Sequence, residues 1–241
     1  MTPGIRVLTP VFVLLVSVAM GQPPTLDVTG TAVGNYGSIK FTDPATVGKK
    51  IVPDVAYEDV RGRYMWDDEW HPGYLILKGG NKYALNKIKL NLHSQQVHYV
   101  GPDGVELAAD NMLVRQVVLF KTDSTQMLAT FFAIKAGAAK TNEWYQQMNA
   151  GKTQLLKKAA THINKLPYDP SVGKTEYRFV TETQYYLLVE QQVKPLGSLN
   201  KSSVSSVVTL DGAADEWLGA HKNKLRSEGD IIAFMDYYNA R

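Results

Sequence analysis

Between Tyr74 and Phe120, apolar runs are cut by turn residues at short intervals, and this punctuation restricts the fold more than any other feature of the chain. Tyr74–Leu77 runs into Gly79-Gly80-Asn81, Lys82–Asn91 follows, and Gln96–Val100 runs into Gly101-Pro102-Asp103-Gly104. Gly, Asn and Pro-Asp-Gly supply the backbone angles that tight turns require. The runs between them have strand length, so the stretch predicts a β-meander over residues 74–120. Ile88, Leu90 and Leu92 alternate with Lys87, Lys89 and Asn91, which puts one face in water and one in a core. Val105 and Leu107 continue the alternation. Met112–Phe120 is apolar except for Arg115 and Gln116 and predicts a central strand.

The same reasoning extends in both directions. Phe131-Phe132-Ala133-Ile134 marks a strand within Gln126–Lys135. Trp144–Met148 and Gln154–Lys158 flank the turn-forming Asn149-Ala150-Gly151-Lys152 and predict a hairpin, with helix as the competing reading for Leu155–Ile163. Thr175–Val180 and Tyr185–Glu190 read as a last β-pair, closed by Lys194-Pro195. Upstream, Ser38–Thr42 is a strand candidate before a turn at Asp43-Pro44, and Ile51–Pro53 and Val55–Tyr57 are edge-strand pieces. Trp66–Gly73 reads as a loop entering the meander.

From Ser198 the periodicity becomes helical. Ser202–Leu210 is a short helix candidate, and Ala213–Lys222 follows Asp211 as a cap. Ser227-Glu228-Gly229-Asp230 resembles a capping box with Asp in place of Glu, ahead of Ile231, Phe234, Met235 and Tyr238. Helices this short need a surface to pack on. The expected fold is therefore α+β: a mostly antiparallel sheet of about eight to ten strands with short C-terminal helices. Barrel, curved sheet and sandwich all satisfy the pattern.

Arg6 followed by the apolar run Val7–Ala19 and by Ala19-Met20-Gly21 describes a secretory leader cut after Gly21. The run is too short for the roughly 20 residues of a spanning helix. The expected organisation is a signal peptide at 1–21, a β-rich domain at 22–197, and a helical segment at 198–241 packed on that domain, with no membrane span after cleavage. The chain contains no cysteine, which excludes disulfides, thiolate metal sites and a lipidated N-terminus. An exported protein held together without disulfides fits a periplasmic or secreted bacterial location. The net charge of +3 is small, and its densest basic spot in the second half is read as Lys157-Lys158. No basic stripe suited to nucleic acid is present.

Candidate chemistry is sparse. Asp67, Asp68, Glu69 and His71 gather hard-cation ligands, but without the alternation and central Gly of a calcium loop. A solvated loop anchored by Trp66 and Trp70 is the favoured reading. Gly151-Lys152-Thr153 and Gly173-Lys174-Thr175 lack the glycine that a phosphate loop carries five residues earlier, where Gln146 and Tyr168 stand; turn glycines followed by strand lysines explain them. His93 and His98 read as exposed strand histidines; His162 and His221 have no partner in sequence. No Gly-x-Ser-x-Gly elbow is present. Thirteen Tyr and four Trp suit a sheet core or a carbohydrate-stacking face. No catalytic, cofactor-binding or metal residue is assigned.

The order of parts, from Asp67-Asp68-Glu69-Trp70 and Pro72-Gly73-Tyr74-Leu75 through Val97-His98-Tyr99 and Tyr185-Tyr186-Leu187-Leu188 to Lys224-Leu225 and Tyr237-Tyr238-Asn239, resembles a family of uncharacterised exported proteins of Bacteroidota. The resemblance covers roughly residues 60–239 as an arrangement of parts. It implies an envelope location and carries over no site residue and no cofactor. The expected role is non-enzymatic: binding a partner protein or envelope component, with a periplasmic carrier of a small apolar or lipid ligand as the alternative.

Overall fold

The computed structural model describes residues 48–50, 57, 60–122, 124, 126–135, 142–168, 173 and 176–241. The leader, the strand and turn expected at 38–44, the pieces at 51–53 and 55–56, and Lys174-Thr175 lie outside the described residues. The described strands are β1 (Gly48–Lys50), β2 (Val60–Arg61), β3 (His71–Leu77), β4 (Lys82–Asn91), β5 (Gln96–Val100), β6 (Glu106–Ala109), β7 (Val114–Phe120), β8 (Met127–Ile134), β9 (Glu143–Gln147), β10 (Gln154–Lys165), β11 (Tyr177–Val189) and β12 (Gln192–Leu196). Helices α1 (Lys201–Ser205), α2 (Gly212–Ala220) and α3 (Glu228–Asn239) follow. The fold is α+β, mostly antiparallel, with short C-terminal helices.

All the strands join one sheet, in the order β1-β6-β5-β4-β3-β7-β8-β9-β10-β11-β12, with β2 pairing parallel to β11 off this path. The meander over 74–120 is present, but β7 pairs with β3 and not with β6. Only Asp110–Leu113 connect β6 to β7, and they form a tight turn. Four strand spacings of about 4.8 Å across a flat sheet exceed the reach of that turn. The sheet therefore rolls until β6 and β7 approach each other. Thr161 N–H reaches Leu92 O at 3.0 Å, and Gln95 Nε2 reaches Ala159 O at 3.1 Å, so the β4–β5 turn sits on β10 across the roll. Among the described residues no ladder joins β12 to β1, so the rolled sheet stays open.

Alternation builds the core inside the roll. Leu75, Ile88, Leu90, Val97, Tyr99, Val117, Leu119, Phe131 and Trp144 are buried together. A second cluster joins Leu155, Leu187 and Leu196 of the last strands to Val204, Leu218, Leu225, Ile231, Phe234 and Met235. This surface is what the short helices require. Asp211 caps α2 by accepting from Ala214 N–H. Ser227 caps α3 by accepting from Asp230 N–H, while Asp230 turns back to Arg226 N–H, so the box closes one residue early. Gly73 lies between β4 and β7, and a Cβ there would collide with Val118 O.

Several local expectations change. Residues 154–165 form strand β10, which disposes of the helical alternative at Leu155–Ile163. The expected pair Thr175–Val180 and Tyr185–Glu190 is instead one strand, β11, whose two ends both pair with β10: Phe179 opposite Ile163 and Leu187 opposite Leu155. Thr181–Gln184 are exposed on both faces, so their polarity imitates a turn, although Thr and Gln extend readily. The central strand starts at Val114; Met112 and Leu113 stand in the turn, 54% and 41% exposed. β3 already begins at His71, within the expected loop. Helix α1 covers only the first half of the expected 202–210.

Candidate functional site

The segment Gly62–Trp70 extends the sheet where β3 leaves off. β3 pairs with β4 from Ile88 back towards Lys82. Beyond that point Trp66 N–H donates to Leu90 O at 2.9 Å, and Leu92 N–H donates to Tyr64 O at 2.7 Å. Trp66 turns inward against Phe131, with ring centres 5.2 Å apart. Trp70 turns the other way and stays half-buried, with Lys89 Nζ 5.0 Å from its ring centre. Both tryptophans thus hold the loop, as their positions imply, but only Trp66 is absorbed into the core.

The carboxylates of this loop disperse. Asp67 accepts from Glu69 N–H and pairs with His71 Nε2, each at 3.2 Å. Burial alone pushes its carboxyl up, but the Glu69 N–H and the His71 ring together hold it below its ordinary value. Asp68 pairs with Arg63 Nε at 2.9 Å, while its main-chain carbonyl accepts from Lys89. Glu69 points to solvent. Among the described residues no three His, Cys, Asp or Glu side chains gather as a metal centre requires. His71 is buried, and its Nδ1 has no hydrogen-bond partner.

Beside this segment lies an open cleft of about 340 Å³ lined by Arg63, Asp68, Trp70, Lys89 and Glu106. Its size falls within the range of about 300–1,000 Å³ for small-ligand sites. Glu106 comes from β6 and holds His98 Nδ1 at 2.8 Å. His98 is 6% exposed, which corrects the reading of it as an exposed strand histidine. It faces Lys89 across β4–β5 and Ala108 across β5–β6, so it is enclosed from both sides. The cleft combines one indole face with fixed cations and carboxylates, a set that stacks on an apolar ring face and hydrogen-bonds hydroxyls around it.

The other singled-out residues serve the fold. His93 meets Thr161 O at 2.9 Å inside a ring cluster with Tyr57 and Phe179. His162 lies 3.8 Å from Glu182. His221 stacks on Trp217, ring centres 4.2 Å apart, as α2 ends. Gly151 turns the β9–β10 hairpin at φ +117, with Lys152 in the turn rather than the strand. Asn239 reaches in from α3, accepting from Thr153 N–H at 2.8 Å and donating to Thr153 O and Ala150 O. Tyr185 O–H donates to Glu228 at 2.5 Å. Its phenol is pushed up to about 12 by burial, and then by the Glu228 carboxylate.

Local sequence singles out only the loop side of the cleft, Asp68 and Trp70. The cleft draws Trp70 and Asp68 from the loop, Lys89 from β4 and Glu106 from β6, which the side-by-side pairing of β4, β5 and β6 brings together. No protein-family profile, curated protein or solved structure matches the chain.

Proposed function

We propose that the chain is an exported envelope protein that binds without transforming its ligand, and that the Trp70 cleft takes a saccharide of the cell envelope. The observation that carries this reading is the half-buried Trp70 ring, flanked by Arg63, Asp68, Lys89 and Glu106 in an open cleft. A sugar ring offers an apolar face for an indole and hydroxyls for planar charged groups. The cleft carboxylates Asp68 and Glu106 are held by Arg63 and His98, and the loop carboxylate Glu69 is turned to solvent, an arrangement that supports binding more than acid–base chemistry. The carrier reading draws no support from the described clefts, which are open and carry charged side chains.

The test is a microarray of bacterial envelope oligosaccharides followed by calorimetry on any hit, with wild type and Trp70→Ala. Binding that drops about tenfold or more in the variant supports the cleft, since loss of an aromatic stacking contact has that order of effect. Absence of any hit, or equal binding by both proteins, overturns it. Export is checked by fractionation and N-terminal sequencing. The mature protein is expected to begin at Gln22, and a cytoplasmic protein still starting at Met1 would refute that part.

A further inference from the structure

The basic pair that stands out in sequence is neutralised in the fold. Lys157 Nζ meets Glu228 at 2.8 Å, and Lys158 Nζ meets Glu143 at 2.7 Å. A run of three unpartnered cations lies elsewhere. Lys222, Lys224 and Arg226 alternate along the α2–α3 loop, and among the described residues none of their side chains has an ion-pair or hydrogen-bond partner.

The loop that displays them is stiff. Lys222 and Leu225 hold left-handed backbones at φ 49 and 54. Lys222 N–H donates to Gly219 O at 3.1 Å, and Asn223 N–H to Leu218 O at 2.9 Å, which closes the end of α2. The Asn223 side chain accepts from Leu225 N–H at 2.8 Å and donates to Asp230 O at 2.6 Å. Arg226 N–H donates to the Asp230 carboxylate at 3.0 Å. Leu225 is fully buried, so the loop is pinned at its middle.

These cations rim a cleft of about 520 Å³ walled by Leu218, Gly219 and Leu225. Lys201 stands across it, already held by Asp215 at 2.6 Å. Among the described residues, Asp215 is the one carboxylate lining the cleft. Nearby, Glu228 is engaged by Lys157 and Tyr185, Asp230 by Arg226 N–H, and Glu216 is exposed on α2 without lining the cleft. Three like charges on a fixed backbone repel one another unless an anion joins them.

We propose that this cleft binds a phosphoryl group. A phosphate monoester carries about two negative charges and three acceptor oxygens, which match three free cations better than the single charge of a carboxylate. The arginine adds a planar fork suited to phosphate geometry. The source is a soluble phosphate ester or a lipid headgroup, and the site is independent of the Trp70 cleft.

The experiment uses the full chain with two probes, glycerol 3-phosphate by calorimetry and phosphatidic acid–phosphatidylcholine vesicles by flotation, with acetate as the control anion. Binding of either probe, weakened by added salt and about tenfold or more in the Lys222→Gln/Lys224→Gln/Arg226→Gln variant, supports the site. Response to glycerol 3-phosphate assigns a soluble source; response to vesicles alone assigns a lipid. Failure of both probes, equal binding of acetate, or an equal loss in the charge-matched Lys87→Gln/Lys121→Gln/Lys165→Gln control overturns it. Amide shifts of wild-type protein during a glycerol 3-phosphate titration give a readout that needs no variant. Movement confined to residues 218–226 supports the site, and movement elsewhere alone refutes it.

Discussion

Gln95 is the side chain through which the roll of the sheet is fastened. Its Nε2 donates to Leu92 O at 2.8 Å and to Ala159 O at 3.1 Å, and its Oε1 accepts from Trp144 N–H at 3.1 Å. Its backbone sits in the left-handed region at φ 53, and its carbonyl accepts from Trp144 Nε1 at 3.1 Å. Gln95→Ala removes three neutral hydrogen bonds worth about 1 kcal/mol each. It also leaves the N–H of Trp144, a residue 2% exposed, without its partner, which raises the loss to about 3–4 kcal/mol. Gln95→Gly loses the same bonds but relieves a left-handed side chain, recovering about 1 kcal/mol. Urea unfolding at 25 °C reads both. With a slope of about 2 kcal/mol/M, the alanine variant should unfold about 1.5–2 M earlier than wild type, and the glycine variant in between. A loss below about 1 kcal/mol for alanine, or a glycine variant less stable than alanine, would show that the turn is held by something other than this amide.

Three further outcomes follow from the packing. Gly73→Ala should cost about 4 kcal/mol or more, because the added carbon meets the main chain of Val118 and not a movable side chain; a melt near that of wild type refutes this. Asn239→Ala should lose about 2–3 kcal/mol and Asn239→Asp at least as much, since aspartate keeps the acceptor for Thr153 N–H but turns a carboxylate oxygen towards the carbonyls of Thr153 and Ala150; an aspartate variant melting near wild type would contradict it. Asp211 is held down to about 2, first by its bond to Arg241 and then by Ala214 N–H. Its folded value lies below the unfolded one, so its contribution is present above about pH 4 and is lost as pH falls towards about 2. Melting temperatures of wild type and Asp211→Asn should therefore converge between pH 5 and 2, and a constant gap would refute the assignment.

Much of the frame could be read from local pattern. Ile88, Leu90 and Leu92 announced their face by alternation, and Asp211 and Ser227 announced helix starts by capping chemistry. What escaped was set by partners distant in sequence. His98 looks exposed in a polar-flanked strand, yet β6 covers it. Lys157-Lys158 look like a basic spot until Glu143 and Glu228 reach them from 15 and 71 residues away. The true break in β-pairing order, β7 beside β3, has no local mark, because the Asp110–Leu113 turn reads like any hairpin connection. The polar Thr181–Gln184 misled in the opposite direction, since exposure on both faces of a hairpin removes the alternation by which a strand is recognised.

The clasp of Asn239 on the β9–β10 hairpin joins residues 86 apart in the chain. The first apolar cluster is complete once Trp144 has been synthesised, whereas the second needs residues as late as Met235. At about 5–20 residues per second, the stretch that separates Trp144 from Asn239 takes about 5–20 s to emerge. Until β10 emerges, about 1–4 s after Gln147 at that rate, Glu143–Gln147 is an uncovered sheet edge on a largely formed core, open to pairing with a neighbouring nascent chain. This edge belongs to the interval of synthesis alone, because β10 covers it in the finished sheet.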